Sequence, residues 1–294
     1  MKLSAFGPAK VNLFLHVGPV GADGYHPICS LMTFADVGDI VAVQPSEAPE
    51  FGVTGPFGAE LSQDEDNLVV RAAQALLAGV RGPRRPFRLI LDKRLPVAAG
   101  LGGGSSDAGA TLRLLSEALQ LSVQDEALEA IAARLGADGA ACLRGEPVMA
   151  EGRGQRLSAA PVMPALDAVL VNPGVPSSTA AVYRAFDEAG AQGAADRPQF
   201  PASFESAEEA AAYLSLCRND LEAPAIALQP LIGEVLETLA GEPETLLARM
   251  SGSGATCFAL CASDIEAEGL AERLQSMRPD WWVRRCRLGG PWQA

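Results

Sequence analysis

The chain is short of positive charge. Its 294 residues carry 23 Lys and Arg against 36 Asp and Glu, a formal net charge of −13 with a pI near 4.7. A nucleic-acid partner normally meets a basic stripe, so none is expected here. A small anionic ligand is not excluded by that balance, because a few local donors outweigh global charge. Histidine is scarce at two residues, and aromatic residues make up only 5%. The six cysteines are scattered with no C-x-x-C pair. The close pair Cys257 and Cys261 lies in an apolar run, which predicts buried thiols rather than a disulfide framework or metal site. No apolar run approaches the ~18 residues that a membrane helix needs. Lys10 and Asn12 interrupt the first apolar stretch, so no secretory signal is read there. The expectation is a cytoplasmic globular enzyme without a membrane partner, of undetermined oligomeric state. Its 48% hydrophobic and 20% charged residues suit that class.

Periodicity then suggests the elements. Val11, Leu13, Leu15 and Val17 alternate with Lys10, Asn12 and His16, predicting a half-buried strand with Lys10 and Asn12 on one face, about 7 Å apart. A turn at 21–24 leads to Tyr25 and His26, and 28–43 reads as strands broken at Gly38 and Asp39. Asp64, Glu65, Asp66 and Asn67 open a helix carrying Leu68, Val69, Ala72, Ala73, Leu76 and Leu77, which ends over 79–86. Phe87, Leu89 and Leu91 mark another strand, and Ala108, Leu112, Leu115 and Leu119 a helix. Asp125 opens a further helix that Gly136 caps. The polar, proline-bearing stretch at 153–164 predicts a boundary between an N-terminal domain, 1–157, and a C-terminal one, 158–294. Beyond it come a strand at 169–171, a helix capped by Ser178 or Thr179, a small-residue loop at 190–201, helices near 207–217 and 231–240, and an apolar strand at Cys257. The class is α+β.

The strongest chemical signal is the run Gly100-Leu101-Gly102-Gly103-Gly104-Ser105-Ser106 between a strand and a helix. Glycines leave backbone N–H groups unobstructed, and a helix N-terminus adds partial positive charge, so the run suits a phosphate group. Either serine hydroxyl can reach a Mg²⁺ that bridges phosphates. It is not a Walker A loop, since no Gly-Lys-Ser/Thr occurs. A dinucleotide fold is disfavoured, because the helix is followed by another helix instead of a strand ending in an acid. The second run, Ser251-Gly252-Ser253-Gly254, reads equally as a hairpin turn or as a further wall of one polyphosphate site. Asp138, among small apolar neighbours, either caps a backbone or stands in a cleft. Lys10 is either a snorkelling strand lysine or a functional one.

Taken together, Pro8-Ala9-Lys10-Val11-Asn12-Leu13, Asp23-Gly24-Tyr25-His26 and Pro96 with the run from Gly100 to Ala108 resemble the GHMP kinase superfamily. Asn172-Pro173-Gly174 with Thr179, Asn219-Asp220-Leu221 and 251–256 continue the match. The resemblance implies a two-domain α+β fold with its active site in the cleft between domains. It also implies ATP and Mg²⁺, with a small-molecule alcohol as acceptor. The triple glycine with two serines and the Gly24-Tyr25-His26 segment point to the branch that phosphorylates the 2-hydroxyl of a diphosphocytidyl methylerythritol, in non-mevalonate isoprenoid precursor synthesis. On that resemblance Asp138 is the catalytic aspartate and Lys10 the lysine beside it. Asn12, Tyr25, His26 and Thr179 line the acceptor, with Tyr183 stacking on cytosine opposite Tyr25. Gly102, Gly103, Gly104, Ser105 and Ser106, with Pro96 and Gly100, wrap the ATP phosphates. Asn67 and Leu68 lie by the adenosine, and Ser106 is the metal's protein ligand. Gly139-Ala140-Ala141 stands where the family has bulkier residues, which predicts a looser loop behind Asp138. The alternatives are a homoserine- or mevalonate-type kinase, a non-catalytic nucleotide-binding protein on the same scaffold and, more distantly, a dinucleotide oxidoreductase.

Overall fold

The computed structural model describes residues 3–64, 66–80, 85–190 and 193–292. Glu65 of the expected helix start, 81–84 of its expected end and 191–192 of the expected loop lie outside them. Among the described residues ten strands form one sheet. Its axis is β2 (Ile28–Pro45), which pairs antiparallel with β1 (Leu3–Val17) along nearly its whole length. The expected break at Gly38 and Asp39 is absent. Gly38 lies opposite Pro8, and a Cβ there would come 2.2 Å from the Gly7 carbonyl oxygen. Glycine therefore keeps two close backbones paired at this point instead of ending the strand.

β4 (Phe87–Asp92) pairs with the far half of β2 and runs parallel to β3 (Glu50–Thr54). β5 (Val148–Gly152) pairs with the near half of β2 and with β6 (Arg156–Ala159). The boundary expected between 157 and 158 thus falls inside β6. The sheet continues from β2 through β10 (Trp282–Gly289) to β7 (Leu166–Asn172), then β9 (Cys257–Leu260) and β8 (Leu247–Met250). β10, the last strand in chain order, is the strip that joins the two halves.

α1 (Leu68–Ala78), α2 (Gly103–Ala118) and α3 (Asp125–Leu135) share one core with β2 and β4, built on Val41, Leu91, Leu112 and Leu115. Asn67 caps α1 by accepting the Val69 N–H. α4 (Gly139–Arg144) follows α3 and packs against α2. In the other half, α5 (Thr179–Glu188), α7 (Glu222–Leu228), α8 (Pro230–Ala240) and α9 (Asp264–Met277) share a core with β7 and β9 that includes Val169, Phe186, Val235 and Leu270. α6 (Ala207–Ser215) joins a third cluster beneath β1, with Phe14 and Phe258. Both faces of β1 from Gly7 to Val17 are therefore covered, and the expectation of a half-buried strand is corrected. His16 faces inward because the segment after 193 straps over it, with the Asp196 carbonyl 2.8 Å from Nδ1. No helix among the described residues is long and apolar enough to cross a membrane.

Candidate active site

A cleft of about 2130 Å³ is lined by Lys10, Asn12, Tyr25 and His26 from the first half and by Thr179, Tyr183, Gly252 and Ser253 from the second. Single-ligand pockets span roughly 300–1,000 Å³, so this one has room for two ligands side by side.

One wall is the glycine run. Gly100 has φ +76°, and a Cβ there would come 2.3 Å from the Ser251 carbonyl oxygen. Gly102, at φ +61°, precedes the first residue of α2. The first hydrogen bond inside that helix runs from the Ser106 N–H to the Gly102 carbonyl, 2.9 Å. The N–H groups of Gly103, Gly104 and Ser105 therefore have no acceptor within the helix, and an anion at its end meets three donors and the helix dipole. Gly104 packs where a Cβ would meet Leu68 at 3.0 Å. Pro96, Asn67 and Leu68 line the same cleft. Ser105 does too, whereas Ser106 lies wholly buried beneath.

Behind this wall sits a cluster that the sequence does not announce. The Lys93 ammonium, 3% exposed, donates to Asp39 Oδ2 at 2.6 Å and Asp107 Oδ2 at 2.8 Å. Asp39 Oδ1 also accepts the N–H groups of Arg94 and Leu95, at 2.6 and 2.9 Å. Burial pushes the Asp107 carboxyl up to about 8, despite the ammonium beside it. Burial alone would pull Lys93 down, but the two carboxylates outweigh it and hold it above its ordinary value. Because β2, the loop after β4 and the second turn of α2 each supply one member, the cluster fixes the glycine run from behind.

Lys10 Nζ stands 3.1 Å from Asp138 Oδ2 and donates to Asn12 Oδ1 at 2.5 Å. β1 delivers Lys10 to this point through its backbone N–H, which donates to the Leu101 carbonyl at 2.8 Å. The lysine is 4% exposed and the aspartate 28%. Lys10 does not snorkel, and Asp138 precedes α4 without making a side-chain cap bond. Nor is the segment behind Asp138 loose. Gly139 fits so closely under α3 that a Cβ would come 1.9 Å from the Ala132 carbonyl oxygen, and 139–143 are buried.

Asn12 is held on three sides. Its Nδ2 donates to Ser30 Oγ at 2.7 Å, and its N–H donates to Ser251 Oγ, which in turn donates to the Gly100 carbonyl at 3.0 Å. The second glycine run therefore braces the first, and through Gly252 and Ser253 it also lines the cleft. Thr179 is the first residue of α5, where Ser178 supplies the cap. Its Oγ1 lies 2.9 Å from Ser253 Oγ. Asn219, which carries no role in the sequence pattern, donates to the Met250 and Gly252 carbonyls at 2.8 Å each and shapes that second run.

His26 Nδ1 lies 2.9 Å from the Gly18 carbonyl, and its ring packs on Tyr183 with centroids 5.1 Å apart. Burial pushes the Tyr183 phenol up to about 12, so it stays neutral. Tyr25, 57% exposed, lies under the Arg153 guanidinium instead. None of 193–201 lines the cleft.

Among the described residues no group of three or more His, Cys, Asp or Glu is placed to hold a metal. A Mg²⁺ carried mainly by phosphates needs only one or two protein oxygens. The Ser106 hydroxyl, beside the Cys142 thiol, is buried with no hydrogen-bond partner among the described residues. Ser105, which lines the cleft, and the buried Ser106 are the serine oxygens at the start of α2 that such an ion would use.

Known proteins share this fold. The GHMP kinases N terminal domain matches residues 67–146, and the GHMP kinases C terminal domain matches 200–280. The chain is 68% identical over 292 residues to 4-diphosphocytidyl-2-C-methyl-D-erythritol kinase of Caulobacter sp. strain K31, covering 99% of this chain and 100% of that one. It is 67% identical over 289 residues to the protein of that name from Caulobacter vibrioides strain NA1000 / CB15N, covering 98% and 100%. A crystal structure of 4-(cytidine 5'-diphospho)-2C-methyl-D-erythritol kinase superposes with a TM-score of 0.79 at 33% identity, over 98% of this chain and 100% of that one. The fold is thus that of a GHMP kinase. Within that class, the chain belongs to the 4-diphosphocytidyl-2-C-methyl-D-erythritol kinase family.

Proposed function

We propose that the chain transfers the γ-phosphoryl group of ATP to the 2-hydroxyl of 4-diphosphocytidyl-2-C-methyl-D-erythritol, a step in non-mevalonate isoprenoid precursor synthesis. The observation that carries this reading is the Lys10–Asp138 pair at 3.1 Å. It lies in a cleft that also holds the glycine run and the aromatic group at Tyr25, His26 and Tyr183. Residues 1–157 form the ATP-binding domain and 158–294 the C-terminal GHMP domain in this reading.

The free N–H groups of Gly103, Gly104 and Ser105 hold the phosphates, and Asn67 and Leu68 flank the adenosine. Phosphoryl transfer through a loose transition state depends on alignment and charge neutralisation more than on covalent help. Ser106 would be the protein ligand of a Mg²⁺ carried mainly by the phosphates, and that ion would supply part of the neutralisation. The acceptor oxygen forms the new bond to phosphorus as the bond to the ADP oxygen breaks. Its proton passes to the Asp138 carboxylate. A carboxylate is a weak base toward an alcohol, so the proton follows phosphorus–oxygen cleavage. Lys10 balances charge on Asp138 and on the attacking oxygen, while Asn12 keeps the ammonium in place.

Two competing readings are weaker. A homoserine or mevalonate acceptor gives Tyr25, His26 and Tyr183 no planar group to hold. A non-catalytic nucleotide binder leaves a buried lysine paired with a partly exposed carboxylate without a use. The test is ATP consumption with Mg²⁺ and each of the three acceptors. Turnover confined to the cytidyl alcohol supports the reading, and turnover with homoserine or mevalonate instead rejects it.

A further inference from the structure

Tyr25 is the most exposed aromatic residue lining the cleft, at 57%. Its own turn holds it only through the backbone. Its N–H donates to Asp23 Oδ1 at 3.1 Å, and its carbonyl accepts the Gly21 N–H at 2.8 Å. The ring itself is held from elsewhere in the chain. Arg153, in the turn between β5 and β6, places its guanidinium carbon 4.1 Å from the ring centroid. That turn is shaped by Gly152 at φ +71° and Gly154 at φ +98°, and the Arg153 N–H donates to Gln155 Oε1 at 2.6 Å. The guanidinium is anchored in turn: Nε and a terminal nitrogen both donate to Asp23 Oδ2, at 3.1 and 2.5 Å.

Asp23 thus closes a ring. One carboxylate oxygen holds the Tyr25 backbone, and the other holds the cation that covers the Tyr25 side chain. The Tyr25 N–H, and then Arg153, keep the Asp23 carboxyl below its usual range, so the anchor stays charged.

We infer that Arg153 is a positioning residue for the nucleobase of the acceptor, covering one face of Tyr25 and leaving the ring a single face on which a planar base stacks. The inference rests on the cytidyl acceptor proposed above and adds a residue that lines the same cleft and acts through the Tyr25 ring. A cation over the ring face fixes both the tilt of the ring and the side from which a base approaches. The guanidinium suits this because it is flat and can hold Asp23 through two N–H groups while stacking. An ammonium cannot do both. The ion pair alone is exposed and weak. Its value lies in coupling two loops distant in sequence around one aromatic ring.

The experiment is a double-mutant cycle on the full chain, using Arg153→Met, Tyr25→Leu and the double variant, with Arg153→Lys as the conservative control. Two quantities are read: cytidine 5'-diphosphate binding by calorimetry, which needs no turnover, and steady-state kinetics. Arg153→Met is expected to raise the Kd for cytidine diphosphate, and KM for the cytidyl alcohol, about two- to five-fold. The kcat and the KM for ATP stay unchanged. Arg153→Lys recovers only part of the loss. The double variant binds no more weakly than Tyr25→Leu, because Arg153 acts through that ring. Unchanged binding in Arg153→Met overturns the inference. So does an equal loss in the Tyr25→Leu background, which would put Arg153 directly on the ligand. If the wild-type chain binds cytidine diphosphate but turns over no cytidyl alcohol, the proposed reaction fails, and the cycle still decides the role of Arg153.

Discussion

Lys10 and Asp138 come from different elements, β1 and the start of α4, yet their charged atoms stand 3.1 Å apart. Two placements produce this. The Leu101 carbonyl draws the Lys10 backbone against the glycine run, and Gly139 lets α4 sit directly under α3. Replacing Asp138 by Asn keeps that packing while removing the proton acceptor. Turnover should fall by about 10²- to 10⁴-fold, with ATP affinity within a few-fold of wild type. Single-turnover kinetics alongside equilibrium ATP binding checks both, and near-wild-type turnover would remove Asp138 from the reaction. Lys10→Met should likewise lower kcat more than it weakens binding.

The Lys93 cluster makes a second, asymmetric prediction. Asp39 accepts three hydrogen bonds, two of them from backbone N–H groups, so an amide there turns donors toward donors. Asp107 accepts only from Lys93, and its other oxygen has no partner among the described residues. Asp39→Asn should therefore cost about 3 kcal/mol, and Asp107→Asn much less. Urea unfolding of the two variants tests the contrast, and equal costs would refute it.

The same cluster sets a pH dependence. Asp107 keeps its proton in the folded chain up to about 8, against an ordinary value of 3.8. Across that window the folded state binds more protons than the unfolded one, so this group's contribution to stability falls as pH rises. An amide side chain at that position has no such proton to lose. The unfolding midpoint of Asp107→Asn should drop less than wild type between about pH 5 and about pH 8. A parallel drop in both proteins would mean that Asp107 is ionised throughout.

How far the sequence could be read follows from which interactions are local. The glycine run is legible because φ and amide exposure are properties of adjacent residues, and α2 begins at Gly103 as its position implies. The Asn67 cap and the buried strand at Cys257 are legible for the same reason. The pattern at 10–17 misleads, because alternation records polarity, whereas burial of the polar face depends on Ser251, Asp196 and Arg218 arriving from far along the chain. Lys93 gives no sign of itself, since a buried ammonium is recognisable only by two carboxylates brought from β2 and α2. Arg153 lies in a stretch that reads as a polar boundary, yet in the fold it reaches Tyr25. The strand Trp282–Gly289, which joins the halves of the sheet, has no periodicity that marks it as central.

Ser251 carries the link between the two glycine runs. Its hydroxyl accepts the Asn12 N–H at 3.1 Å and donates to the Gly100 carbonyl at 3.0 Å. Ser251→Ala leaves both backbone groups without that partner, at a cost of about 1–3 kcal/mol. Thermal unfolding should register the loss, and a second consequence is a weaker hold on ATP, because Gly100 leads directly into the phosphate-binding turn. Unchanged stability and unchanged ATP affinity together would show that the runs stand independently.

Gly139 offers the sharpest separation of packing from chemistry. A methyl group there would meet the Ala132 carbonyl oxygen at 1.9 Å and its carbon at 2.6 Å. Both are backbone atoms, so no side chain can swing aside, and α3 and α4 must part. Asp138, the residue immediately before, moves with α4 away from Lys10. Gly139→Ala should therefore lose about 1–3 kcal/mol of stability and, in the protein that remains folded, at least ten-fold in kcat, since a displacement of about 1 Å is enough for such a loss. Gly269, in the middle of α9 with nothing within 4 Å of where a Cβ would stand, supplies the control. The same substitution there should stabilise the chain by about 0.5–1 kcal/mol through helix propensity alone and leave kcat untouched. If Gly139→Ala folds and turns over like the Gly269 variant, the seating of α4 under α3 does not position Asp138.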